Sequence, residues 1–409
     1  MKKAIDPHVT KISGPINIVR LEGNIHGIKK VIYLFMDFHM PIQHQSQCEN
    51  IFSQDVQAYL AKNLYELNKE SKMYDFFLEI YPHELVSDRE DNFKDIYIEE
   101  IVRFFRKIFV HHIGKNKVLV SDLFKKVRLH FLDVRGFYYL DLRDSMDYVE
   151  EISDEFVCKQ HISFSQFKDI IKTLSGLREN LGIVIEIMSQ VSRSRPKVKL
   201  IKEINSQINV DALRYIANKI QEKYKHEDVK KHMNQLIKKN IAGFVQLTKD
   251  IDTDIEKFKS YYRSEGPITN KLVQSDDPRD VHSFGYGQSV FTSRQRVVDI
   301  ADRVDHLSGS LIKLFADLTD IFFLRRFLDK DYITNAIVYT GAEHSISYIH
   351  ELVKVYDFKI THASYSKIPN MNKLTNEIKQ GDRATIQEFT WPATFQQCSD
   401  VSSFPKNFS

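Results

Sequence analysis

The feature that most constrains the fold is an apolar run with a polar end. Residues 32–40 read IYLFMDFHM, so five residues suited to a buried strand run directly into Asp37, Phe38 and His39. In an extended chain residues i and i+2 point to the same face, so Asp37 and His39 project side by side if the strand reaches that far. Similar segments recur. NIVRLEG, a turn at NIHGIKK and VIYLFMDFH read as a hairpin whose second strand is fully buried. YDFFLEIYP (74–82, ended by Pro82), VRLHFLDVRG (127–136) and NAIVYTGAEH (335–344) read as further buried strands, and FKITHASYS reads as an edge strand. Helical spacing in SQDVQAYLAKNLYELNKES and DIYIEEIVRFFRKIFV separates the first strands. Strand alternating with helix implies an α/β fold, a mostly parallel sheet flanked by helices.

Between residues 146 and 260 glycines are few and apolar residues recur at helical spacing, which predicts a large all-helical insertion. The expected organisation is a discontinuous α/β core over 1–145 and 261–370, the insertion over 146–260, and an irregular C-terminal tail over 371–409. The turn-rich stretch 263–290, with His282, reads as a long loop.

Charge narrows the partners. Fifty-eight basic residues against 55 acidic ones give a net charge of +3, which asks for neither nucleic acid nor an anionic membrane. The basic stretch 193–203 reads as a solvated face. Cys48, Cys158 and Cys398 are odd in number and far apart, with no metal-binding spacing, so reduced thiols and a cytoplasmic location are expected. No apolar run has the length of a membrane span, and no apolar segment follows Lys2 and Lys3 to make a secretory signal.

In a parallel sheet, ligands bind at the carboxyl ends of the strands. Asp37 and His39, Glu79 on the second strand, Asp133 and Arg135 on the third, and His344 on the fourth would then surround one cleft, while His130 alternates toward the other side. Carboxylates beside imidazoles suit acid–base activation of water or a divalent metal with mixed ligands. Asp37, His39, Glu79 and His344 are the candidate metal ligands, and His39, Glu79, Arg135 and His344 the candidate catalytic groups.

Met36-Asp37-Phe38-His39, Glu79 in DFFLEI and Gly341-Ala342-Glu343-His344 together resemble motifs of a known superfamily. It joins erythromycin-esterase-like hydrolases, ChaN-type haem-uptake proteins and the TraB/TIKI group that includes metal-dependent proteases. Its members open with a buried strand ending Gly-Glu-x-His, carry an acid on the next strand, and close with Gly-x-x-His before a helix. Here Met36 replaces the first glycine, Asp37 the glutamate, and Ser347 a later glycine. A shorter acid draws the carboxyl back by one methylene, which changes catalytic geometry. The composition and long inserted helices also resemble proteins of large DNA viruses of protists, which would place the chain in host cytoplasm.

The leading expectation is a hydrolase in which Arg135 clamps a developing oxyanion, and the resemblance implies an ester or peptide-like bond in a small-molecule or peptide substrate. The rival expectation is a catalytically degenerate binding or assembly protein whose helical insertion contacts a protein partner. A haem carrier is a third reading.

Overall fold

The computed structural model describes residues 11–42, 48, 53–80, 96–109, 111–113, 118–135, 140–159, 162–191, 210–265, 290–291, 294–394 and 396–408. Pro82, the stretch 193–203 and His282 lie outside them. The chain divides into two compact units, Met1–Val134 with Phe322–Ser409, and Arg135–Ile321.

The first unit opens with strands β1 (Lys11–Ser13), β2 (Asn17–Ile25) and β3 (Ile28–Asp37). β2 and β3 form the expected antiparallel hairpin. Its turn residues, His26 and Gly27, both have positive φ (51° and 82°), which suits a right-twisted hairpin. β4 (Gln54–Asp55) leads into α1 (Val56–Glu66), which buries Val56, Leu60 and Leu64 at four-residue spacing. Then come β5 (Tyr74–Leu78), α2 (Tyr97–Phe105), β6 (His111–Ile113), β7 (Val118–Val120) and β8 (Val127–Phe131).

The second unit is mainly helical: α3 (Leu140–Lys159), α4 (Phe164–Val191), α5 (Val210–Gln221), α6 (Glu227–Glu265) and most of α7 (Arg294–Asp329). Its short strands β9 (Ile162–Ser163) and β10 (Val290–Phe291) pair antiparallel. This unit starts earlier and ends later than 146–260 because α7 runs with the helical block for most of its length. The chain then returns to the first unit as β11 (Asn335–Gly341), α8 (Ala342–Lys354) and β12 (Lys359–Ala363). Residues 371–409 are not an irregular tail. They form α9 (Met371–Gln380), α10 (Arg383–Thr390) and β13 (Cys398–Asp400). Asn370 and Asp382 cap the two helices, each accepting a backbone N–H three residues on.

The main sheet has the order β12-β2-β3-β11-β5-β8-β7-β6. β3, β11, β5 and β8 are parallel, but the outer pairs on both sides are antiparallel, so the sheet is mixed and not mostly parallel. A two-residue turn can only return the chain antiparallel, and β6 and β7 are three-residue strands, too short for a periodicity to register. β12 is the expected edge strand.

The central strands are apolar on both faces because both faces are covered. Tyr33, Phe35, Phe76, Leu78, Leu129, Ile337 and Tyr339 pack with α1 and α2 in one core. On the other face Phe77 meets Phe323 of α7, which in turn meets Tyr348 of α8. His130 lies on that second face, stacked on Phe77 with ring centroids 4.5 Å apart. Its Nε2 is 2.6 Å from Asp75 Oδ1, while Arg128 donates to Asp75 Oδ2 at 2.7 Å. Burial pushes His130 down to about 4, so the ring is neutral and Arg128 balances Asp75. This cluster sits at the start of β5 and keeps His130 out of the strand-end group.

Two cysteines expected as separate reduced thiols are joined: Cys48 and Cys398 form a disulfide with Cα atoms 5.2 Å apart. β1 pairs antiparallel with β13 and parallel with β4, so the chain around both cysteines meets on β1 although they are 350 residues apart in sequence, a proximity no local spacing reveals. Cys158 is free and exposed. Among the described residues no helix is long and apolar enough to cross a membrane.

Candidate acid–base site

Three adjacent parallel strands end at the same level. Gly341 of β11 pairs with Asp37 of β3, and Tyr339 pairs with Leu78 of β5, so Glu79 follows one step beyond the ladder. The Glu79 amide still donates to the Tyr339 carbonyl at 3.1 Å, which holds the start of the loop against β11. Side-chain alternation then sends neighbouring residues of β11 to different partners. Tyr339 donates its hydroxyl to Asp37 Oδ1 at 3.2 Å. Thr340 donates its hydroxyl to Glu79 Oε2 at 2.7 Å, and the Gly341 amide donates to the same oxygen at 2.6 Å.

Gly341 is also the N-cap of α8, whose first turn carries His344. His344 is buried, and its Nε2 lies 3.2 Å from Glu79 Oε1. Glu79 therefore faces a helix N-terminus, where backbone N–H groups and the helix dipole favour negative charge. A methyl group on Gly341 would lie 3.4 Å from Glu79 Oε2 and 3.5 Å from two atoms of the His39 ring, so the glycine brings the two side chains close.

His39 differs from its neighbours. Its φ is +52°, a region that non-glycine residues seldom adopt, and such backbones concentrate at functional sites. The ring is 39% exposed, whereas the Asp37 carboxylate is 1% exposed. His39 Nε2 lies 3.5 Å from Asp37 Oδ2 and 3.8 Å from Glu79 Oε2. Asp37 Oδ2 has no hydrogen-bond donor among the described residues. Burial pushes the Asp37 carboxyl up to about 6, and the nearby Glu79 charge adds to that. His39, its backbone amide and the Tyr339 hydroxyl pull the other way. Tyr339 is itself raised well above the usual phenol range, first by burial and then by Asp37, so it acts as a donor and keeps its proton.

Of the residues anticipated from sequence, Asp37, His39, Glu79 and His344 come together. Asp133 is buried just past β8, and Arg135, half-buried, begins the second unit. Tyr339 and Thr340 were not anticipated. Their only signal is two hydroxyls inside the apolar strand NAIVYTG. Among the described residues no group of three or more His, Cys, Asp and Glu side chains is placed to hold a metal ion. Glu79 Oε2, the oxygen facing His39, already accepts two hydrogen bonds.

A family model described as a family of unknown function (DUF5847) matches residues 10–409. The chain belongs to this family. An uncharacterized protein of Acanthamoeba polyphaga mimivirus is 46% identical over 418 residues, covering 100% of this chain and 99% of the relative. Two more uncharacterized proteins of the same virus are 32% and 34% identical, over 100% and 99% of this chain and 99% of each relative. The resemblance to proteins of large DNA viruses thus extends along the whole chain. No solved structure matches it.

Proposed function

We propose that this protein is a hydrolase that activates water with His39, held by Asp37, to cleave an ester or peptide-like bond. The observation that carries the reading is an exposed imidazole whose Nε2 stands 3.5 Å from a buried carboxylate oxygen that has no hydrogen-bond donor among the described residues. Closing the 3.5 Å gap between Nε2 and Asp37 Oδ2 to a hydrogen bond would set the ring proton on Nε2 and leave Nδ1 to accept one from water. Asp37 fixes that tautomer and stabilises the imidazolium that forms. Tyr339 holds the other carboxylate oxygen, so Asp37 cannot rotate away.

Glu79 and His344 form a second carboxylate–imidazole pair behind the first. Glu79 lies 3.8 Å from His39 Nε2, so its negative charge adds to the stabilisation of a protonated His39. The motif resemblance to erythromycin-esterase-like hydrolases supports the same bond class. No step passes through a metal ion.

The test is a panel of aryl esters, lactones and short peptides, assayed with wild type, His39→Ala and Asp37→Asn. Positioned general bases contribute about 10²- to 10⁴-fold, so both variants should lose at least about a hundredfold in rate on any substrate that wild type turns over. A wild-type rate that survives both substitutions would contradict the assignment.

A further inference from the structure

The Cys48–Cys398 disulfide is tied to both flanks of the acid–base pair. On one flank β13 braces the chain between β1 and β2. The Gly14 amide donates to the Gln397 carbonyl at 3.0 Å, and the Ser399 hydroxyl donates to the Pro15 carbonyl at 2.9 Å. Next in the chain, the Ile16 amide donates to the carbonyl of Met36, the residue before Asp37, at 2.8 Å. Cys398 stands between Gln397 and Ser399, paired with Ser13. On the other flank, Cys48 follows His39 by nine residues. One covalent bond therefore joins the strand that braces the Asp37 end of β3 to the chain that leaves His39.

The brace reaches the site itself. A methyl group on Gly14 would lie 3.5 Å from the Tyr339 hydroxyl, so this segment packs against the group that donates to Asp37 Oδ1. His39 is held less firmly. Its Nε2 is 3.5 Å from Asp37 Oδ2, longer than an ordinary hydrogen bond, and its ring is 39% exposed. The place of His39 is thus set by the chain on either side of it more than by contacts of its ring. Cys48 and Cys398 are both half-buried, so a small thiol can reach the bond.

We propose that the Cys48–Cys398 disulfide is a redox lock on the site, holding His39 against Asp37 when oxidised and releasing it when reduced. A thiol reductant supplies the two electrons. One of its thiolates attacks a sulfur of the disulfide to form a mixed disulfide, and a second thiolate displaces the protein sulfur. Cys48 and Cys398 end as two thiols, the reductant ends as a disulfide, and two protons pass from the reductant to the cysteines. The acid–base pair is then assembled where the bond can form, and opened in a compartment that keeps thiols reduced. The inference rests on the hydrolytic reading for what the lock controls, but not for the movement of His39.

Diethyl pyrocarbonate acylates accessible neutral imidazoles, and peptide mass spectrometry reads each histidine separately. His130, buried on the other face of the sheet, reports whether the fold persists. The oxidised protein, the protein in dithiothreitol and the double variant Cys48→Ser/Cys398→Ser are labelled side by side. His39 should label at least about fivefold faster in dithiothreitol and return to the oxidised rate on reoxidation, with His130 protected throughout. The double variant should label at the reduced rate whether or not dithiothreitol is present. An unchanged His39 rate on reduction would overturn the proposal. So would His130 opening in step with His39, which would make the bond a staple of the whole unit. Release of His39 alone, with no ester cleaved in either state, would refute the hydrolytic reading and leave the lock standing. Equal ester cleavage in both states, with the His39 rate unchanged, would do the reverse.

Discussion

Asp37 is held where a carboxylate is costly, so replacing it should make the protein more stable while abolishing its chemistry. Its carboxyl is moved from 3.8 to about 6, chiefly by burial. At about 1.4 kcal/mol per pKa unit, keeping it ionised in the native state costs about 3 kcal/mol. Asp37→Asn removes the charge, keeps an oxygen to accept from Tyr339, and loses the attraction to His39. That attraction is already contained in the value of about 6, whereas burying the new amide nitrogen costs about 1 kcal/mol. The net gain is about 2 kcal/mol at pH 8, which for a unit of this size raises Tm by roughly 4–8 °C.

The sign with pH follows from the raised pKa. Between pH 4 and 6, on the values 3.8 and about 6, the native state binds the Asp37 proton more tightly than the unfolded chain. Stability contributed by this group is therefore present at low pH and lost as pH rises through about 6. The advantage of Asp37→Asn should be full at pH 8 and fade toward pH 4. Thermal unfolding followed by circular dichroism at the two pH values measures both. A variant that is less stable than wild type at pH 8, or that shifts Tm equally at both pH values, would refute the reasoning.

Three further outcomes follow from the same geometry. Thr340→Val removes one of the two donors to Glu79 Oε2 inside a buried site, so it should cost about 1–3 kcal/mol in urea unfolding and lower kcat. Replacing both Cys48 and Cys398 by Ser should lower stability by about 2–5 kcal/mol under non-reducing conditions, and dithiothreitol should bring wild type to the same Tm. Because the proposed step needs only His39 and Asp37, chelator should leave turnover unchanged. Activity that disappears with EDTA and returns with one divalent cation would put the metal reading back.

Asp37, His39, Glu79 and His344 were legible because each interrupts or ends an apolar strand, and parallel strands bring such ends to one edge. The β2–β3 hairpin was legible from two apolar runs on either side of the turn at NIHGIKK. What escaped is non-local or short. Tyr339 and Thr340 sit one residue apart on opposite faces of β11, so their separate roles depend on which strands flank them. α9 and α10 span only 10 and 8 residues and draw their caps from single side chains. The Cys48–Cys398 bond depends on β13 reaching β1. The parallel bias was overestimated because the short antiparallel strands at one edge left no periodic trace.

The central claim is that His39, oriented by Asp37, takes the proton from water. The most direct measurement is kcat/KM for the best ester substrate between pH 4.5 and 9, for wild type and His39→Ala prepared in parallel. The expected result is a loss of at least about a hundredfold in His39→Ala across the whole range, with the acid limb of the wild-type profile gone. A His39→Ala enzyme with the wild-type rate and the same acid limb would contradict it.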